Sequence, residues 1–199
     1  TPQNIYNFCK EKDYSVEVLV NNAGYGIPSQ FHKTSMEDEE KSIRVLSTSV
    51  IALSKAFIPD MLEKKSGKIM IISSVASFTP PSTIQVLYGP LKTFMNRFSD
   101  ALNVNYKHKG ISSTAVCPGY VVTEFHSSSG VQDAMDKVPA FMKLNAKDVA
   151  AEAVEATLSS KSYCIPSKRY KFLVFLIKYA SFLMKLLSNT LSGGRYSKK

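Results

Sequence analysis

Residues Lys68–Lys92 read KIMIISSVASFTPPSTIQVLYGPLK. KIMII is short and apolar, the pattern of a buried strand in a parallel sheet. It stops at Ser73-Ser74. A loop with Pro80 and Pro81 follows, then a helix expected to start near Val86 or Leu87, because Pro90 is tolerated only in a first turn. Tyr88 and Lys92 stand four residues apart and share a helix face. An ammonium beside a phenol favours the phenolate, so Lys92 is expected to lower the Tyr88 pKa and make Tyr88 a candidate proton donor and acceptor. The Ser74 hydroxyl is placed to hold a substrate oxygen between them. Taken alone, the Tyr-x-x-x-Lys spacing also describes a solvated helix face.

Working outward from this stretch, strand and helix patterns alternate. Upstream, residues 1–12 read as a helix end. Glu17–Val20 (EVLV) is a short apolar strand that runs into Asn21-Asn22-Ala23-Gly24, a turn without bulky side chains where backbone can approach a flat ligand. Thr34 or Ser35 caps an acidic helix start at Met36–Glu40. Ile43, Leu46, Val50, Leu53 and Phe57 continue it with helical spacing, and Pro59 is expected to bend or end it. Downstream, Ile111–Cys117 (ISSTAVC) reads as a third strand and stops at Pro118-Gly119. Residues 120–144 lack a clear period and suit a mobile lid. Ala146–Leu158 is an amphipathic helix, and Ser162–Ile165 a last short strand. Alternation of this kind predicts an α/β fold with a parallel sheet.

The chain has 199 residues, 44% apolar and 21% charged, enough for one domain with a real core. Cys9, Cys117 and Cys164 are odd in number and widely spaced, which argues against a disulfide framework or a metal site and fits an intracellular setting. The net charge of +9 is localised: residues 161–199 hold nine Lys and Arg and no Asp or Glu, and the other 16 bases balance the 16 acids. A basic end on a neutral body suits an anionic lipid surface. No nucleic-acid-binding motif accompanies it. Tyr170–Leu191 (YKFLVFLIKYASFLMKLLSNTL) puts Lys171, Lys178, Ser181, Lys185 and Ser188 on one stripe opposite a broad apolar face. Three readings stand for it: a helix lying in the membrane interface, a helix packed on protein, and a full span. The first is preferred, since a lysine at mid-span costs roughly 2.5–3.5 kcal/mol. Domain organisation is thus expected as residues 1–166 followed by a membrane-interacting segment 167–199.

Together these motifs make the chain resemble the classical short-chain dehydrogenase/reductase family. Asn21-Asn22-Ala23-Gly24 after a strand is similar to its NNAG turn, Ser74 ends the next strand, Tyr88 and Lys92 match its YxxxK, and Pro118-Gly119 with Thr123 matches its PGxxxT, all in order. The resemblance covers about residues 10–165 and implies a Rossmann-like, doubly wound parallel sheet. It implies hydride transfer between NADP or NAD (NADP slightly favoured) and a carbonyl, with Ser74, Tyr88 and Lys92 as the catalytic set. Asn22, Ala23, Gly24, Pro118, Gly119 and Thr123, with Tyr88 and Lys92, would hold the cofactor. The PGYVVTEF wording and basic apolar end are similar to the branch acting on lipid, 3-oxoacyl or steroid carbonyls. They suggest membrane association, at the endoplasmic reticulum in a eukaryote, or else a cytoplasmic protein, with a possible homodimer.

Three departures from the family pattern give further expectations. The glycine-rich phosphate turn TGxxxGxG is not in the sequence, so the N-terminal strands of the fold are expected to belong to a longer protein. This chain alone is then expected to bind dinucleotide weakly and to expose the edge of the Glu17–Val20 strand. Leu46 stands where the family carries an asparagine, which motivates the alternative of a catalytically inactive, membrane-associated binding or scaffold protein. The Ser74–Tyr88 interval is one residue longer than usual.

Overall fold

The computed structural model describes residues 1–27, 29–80, 86–125, 130 and 132–179. Helix α1 (Pro2–Glu11) is capped by the Thr1 side chain and leads to strand β1 (Val18–Asn21). A helical run follows: α2 (Met36–Ile43), one π turn (Arg44–Thr48) and α3 (Ser49–Lys64). Ser35 accepts a hydrogen bond from the Asp38 amide, and Glu37, Asp38 and Glu39 fill the first turn, so cap and helix dipole act together. Next come β2 (Gly67–Ile72), α4 (Tyr88–Tyr106) and β3 (Ile111–Val116). A side excursion holds β4 (Tyr120–Val122), α5 (Gln132–Asp136) and β5 (Lys143–Asn145). Helix α6 (Ala146–Leu158) and β6 (Tyr163–Cys164) return the chain to the sheet, and residues 168–179 form a last described helical stretch, α7.

The main sheet has the order β1-β2-β3-β6, and every pair in it is parallel. Side-chain alternation along β2 builds two cores. Ile69 and Ile71 join Leu19, Val50, Phe57, Ile58, Met61, Met95, Leu102 and Ile111 under α3 and α4. Met70, with Ile72 against it, faces the other way and packs with Val116, Ala153, Ala156 and Cys164 under α6. Residues of a strand point alternately to opposite faces, so one apolar run feeds both layers. The register aligns Asn21 with Ile71, Ile72 with Val116 and Val116 with Cys164. The NNAG turn, Ser73-Ser74 and Cys117–Gly119 therefore emerge together at the carboxyl ends of neighbouring strands, where open α/β sheets place their ligands.

Four expectations are corrected. Pro59 does not end its helix, which continues to Lys64. The carbonyl deprived of its donor belongs to Lys55, and Lys55 and Pro59 both lie on the exposed face, open to water. The last strand is two residues long. The segment 120–144 is not free of regular structure, because β4 and β5 pair in parallel and close its base; residues 126–129 and 131 lie outside the described residues. The boundary drawn after residue 166 falls inside packed structure: Pro166, Tyr170 and Val174 are buried. Apolar residues 170, 173, 174 and 177 recur at helical spacing and turn inward, so the start of the basic segment belongs to the domain. Residues 180–199, including the rest of the expected amphipathic helix, lie outside the described residues.

Met36–Lys64 is, among the described residues, the one helical run long and apolar enough to cross a membrane. Val50, Phe57, Ile58 and Met61 within it are buried in the first core.

Candidate active site

Ser74, Tyr88 and Lys92 converge at the carboxyl end of β2. Ser74 is extended, and its hydroxyl accepts a hydrogen bond from the Ala76 amide at 3.1 Å, capping the short turn Val75–Ser77. A hydrogen bond joins Ser74 to Tyr88, the first residue of α4. Lys92, one turn further on, is 5% exposed, and its ammonium donates to the Ile72 carbonyl at 2.7 Å. The same nitrogen lies 5.5 Å from the centre of the Tyr88 ring, within cation–π range. The Ser73 hydroxyl donates to the Lys92 carbonyl at 3.1 Å, and Asn96 donates to the Ser77 hydroxyl at 2.7 Å. Helix α4 is thereby fastened to the serine loop at two successive turns. The loop between Ser74 and Tyr88, expected to bulge, includes residues 81–85 that lie outside the described residues.

The electrostatics differ from the sequence expectation at one point. Burial pushes the Tyr88 phenol above its ordinary 10.0, and the Ser74 hydrogen bond only partly opposes this. Lys92 does not lower it, because its ammonium is turned to the Ile72 carbonyl and is itself costly to bury. Burial lowers the Lys92 pKa from 10.5 to about 8, partly offset by Cys117. At neutral pH the pair is therefore a protonated phenol beside an ammonium held near its titration point.

The other predicted residues surround this pair. Gly24 stands against Leu46 and Lys92: a Cβ there would lie 3.1 Å from Leu46 Cδ2 and 3.9 Å from Lys92 Nζ. Asn22 and Ala23 are exposed, whereas Asn21 is buried with neither amide atom bonded among the described residues. Leu46 is buried within the π turn, and adjacent Ser47 spends its hydroxyl on the Ile43 carbonyl at 2.6 Å. The Pro118 carbonyl accepts from the Val75 amide at 3.0 Å, tying that turn to the serine loop. Thr123 is exposed and accepts from the Phe125 amide at 3.3 Å. The Phe125 ring stands 6.4 Å from that of Tyr88. A cleft beside Tyr88 is lined by apolar Ile27, Phe31, Val86 and Leu87 and by polar Tyr25, Ser29, Glu39 and Ser42. A second cleft, between Thr1-Pro2 and residues 40–52, contains none of the predicted site residues.

A dinucleotide fits what these residues offer at the nicotinamide end. The absence of a side chain at Gly24, the buried Lys92 ammonium and the unbonded Asn21 amide all gather at the strand ends. Sequence reasoning missed Phe125 and Tyr170. Phe125 follows a motif residue by two positions and had no separate signal. Tyr170 begins the inward-facing row 170, 173, 174 and 177, a signal that was present but was read for its lysines instead.

The description "short chain dehydrogenase" matches residues 2–134. The chain belongs to this family. Among curated members, the oxidoreductase UcpA of Escherichia coli is 28% identical over 184 residues, 92% of this chain and 64% of that protein. The very-long-chain 3-oxoacyl-CoA reductase of Anas platyrhynchos is 32% identical over 181 residues, 88% of this chain and 55% of that protein. Among solved structures, a short-chain dehydrogenase from Sphingobium yanoikuyae in complex with NADPH superposes with a TM-score of 0.76 at 22% identity, over 98% of this chain and 72% of that one. This short-chain dehydrogenase chain thus has the Rossmann-like fold of its relatives and spans between half and two thirds of the length of these curated ones.

Proposed function

We propose that this chain carries the proton-transfer and substrate side of a nicotinamide-dependent oxidoreductase acting on a hydrophobic carbonyl or alcohol of lipid, 3-oxoacyl or steroid type. The observation that carries the reading is the convergence of Ser74, Tyr88 and buried Lys92 at one strand end, with Gly24 beside the lysine. A nicotinamide supplies or removes the hydride. The chain's own residues do the rest. Ser74 and Tyr88 hold the substrate oxygen between two hydroxyls. Tyr88, protonated because burial raises its pKa, gives its phenolic proton to that oxygen in the reductive direction and recovers it in the oxidative one. The Lys92 ammonium, anchored on the Ile72 carbonyl, would present its remaining donors toward the ribose. Gly24 admits the cofactor to contact with Lys92. The turn at Pro118-Gly119 and Thr123 would hold the carboxamide, and Asn22 and Ala23 would take the adenosine side. Apolar Ile27, Phe31, Val86 and Leu87 favour a substrate that is itself apolar around its oxygen. NADP is the preferred cofactor, and the NADPH-bound structural relative supports it.

The outer side of α7 suits an anionic lipid surface. Phe172, Phe175, Leu176 and Tyr179 are exposed along one ridge, in a segment whose sequence from 161 to 199 carries no acids, although Lys171 pairs with Glu152 and the Lys178 ammonium lies over the Phe78 ring. A second reading, an inactive binding protein of the same family, is favoured by one observation: apolar Leu46 is buried where the proton relay would carry an asparagine. Turnover decides between the two. The longest natural form of the protein is assayed with NADPH or NADH against long-chain 3-oxoacyl, steroid and retinoid carbonyls. Turnover lost in Tyr88→Phe supports the enzyme. Carbonyl or cofactor binding with no turnover in the wild type supports the inactive relative.

A further inference from the structure

Tyr170 is 1% exposed and among the largest fully buried side chains of the domain. Its ring lies on Gly119, where a Cβ would overlap the ring atoms. Its hydroxyl makes two bonds: it donates to the Met142 carbonyl at 2.7 Å and accepts from the Tyr120 amide at 3.1 Å. Tyr120 opens β4, and Met142 directly precedes β5, the partner of β4. One phenol therefore ties α7, the Pro118-Gly119 turn and the base of the 120–145 excursion at a single point. Neighbouring Arg169 reinforces the tie by donating to the Phe141 carbonyl.

We propose that Tyr170 is a positioning residue for the Pro118–Thr123 turn, and so for the cofactor's nicotinamide end. The proposal rests on the oxidoreductase reading given above. The ring sets the height of Gly119 over the domain, which explains the glycine without appeal to a ligand. The hydroxyl fixes the exit direction of Tyr120, and with it Thr123 and the Phe125 ring that meets Tyr88. If packing were the whole role, a phenylalanine would fill the same space. The two hydrogen bonds are what a positioning role needs and a packing role does not.

Tyr170→Phe separates these roles, because it keeps the ring and removes only the hydroxyl. In native-state hydrogen exchange, the Tyr120 amide is expected to exchange about tenfold faster in this variant, the change matching one lost hydrogen bond, while amides of β2 and β3 keep their protection. In steady-state kinetics the cofactor KM is expected to rise several-fold with a smaller change in kcat. Gly119→Ala, which pushes the ring away by a different route, is expected to speed the same amide. Unchanged Tyr120 exchange in both variants overturns the proposal, as does faster exchange with an unaltered cofactor KM. A wild-type protein with no dinucleotide-dependent turnover sinks the oxidoreductase reading instead. In that case the exchange experiment by itself upholds or refutes the hold of Tyr170 on the turn.

Discussion

Replacing Lys92 with methionine is expected to stabilise the domain at neutral pH while destroying its chemistry. Methionine matches the length of the lysine stem and fills the same buried space. The ammonium it removes has a folded-state pKa of about 8 against an ordinary 10.5. A depressed lysine pKa means that the folded state holds its proton less firmly than the unfolded state does. The resulting penalty is complete below pH 8, is relieved as pH rises through that value, and vanishes above 10.5. Integrated over this window it amounts to about 3 kcal/mol. The substitution also deletes the bond to the Ile72 carbonyl, which returns about 1–2 kcal/mol. Lys92→Met is therefore expected to be more stable than wild type at pH 7 by about 1–2 kcal/mol, and less stable by a similar amount near pH 10.5. Cys117, which burial raises from 9.0 to about 11, makes both proteins lose stability above pH 9, so the comparison is read most directly between pH 7 and 9. Urea unfolding of the two proteins at half-unit steps from pH 7 to 10.5 measures this crossing. A difference that stays flat across the range, or moves in the opposite direction, refutes the claim that Lys92 is held in the fold at the expense of stability.

Further outcomes follow from neighbouring contacts. Tyr88→Phe is expected to lower kcat by about 100- to 10,000-fold, with a melting temperature within a few degrees of wild type, because it removes only the proton carrier. Activity in the wild type is expected to fall as pH rises through about 8, where Lys92 loses its charge; a rate constant across pH 7 to 9.5 would contradict that. Gly119→Ala is expected to cost about 2–3 kcal/mol by overpacking against Tyr170, and Gly119→Ala with Tyr170→Ala is expected to cost less than the sum of the two single changes, measured as a double-mutant cycle. Phe172→Asp with Phe175→Asp is expected to reduce co-sedimentation with anionic phosphatidylserine vesicles by about tenfold or more, and equal binding would remove the lipid surface as the partner of that ridge.

Most of the layered fold was legible because the strands are short apolar runs with unambiguous ends. KIMII stops at Ser73, ISSTAVC ends one residue short of its expected Cys117, and the boundaries of α6 agree with its amphipathic pattern to the residue. Legibility failed where tertiary context overrode a local rule. Pro59 is expected from sequence to bend or end its helix, yet the helix runs on to Lys64, because the lost hydrogen bond falls on a wet face and costs little. β4 and β5 are three residues each and carry no period of their own; their ends meet the hydroxyl of Tyr170, fifty residues beyond Tyr120. The Tyr–Lys pair was visible from spacing alone, but the sense of its electrostatics was not. That depends on burial, which four residues of sequence do not reveal, and burial overrides proximity for Tyr88.

The two cores beneath the sheet do not share side chains. Tyr88 and Lys92 stand on the helix that shares the Ile69–Ile71 layer, while β6 and α6, under the Gly119 turn, belong to the Met70–Val116 layer. Helix α4 and the Gly119 turn are therefore braced by different layers that meet at the strand ends. Substitutions in the smaller layer, such as at Ala153 or Ala156, are expected to shift the Gly119 turn while leaving Tyr88 and Lys92 where they are.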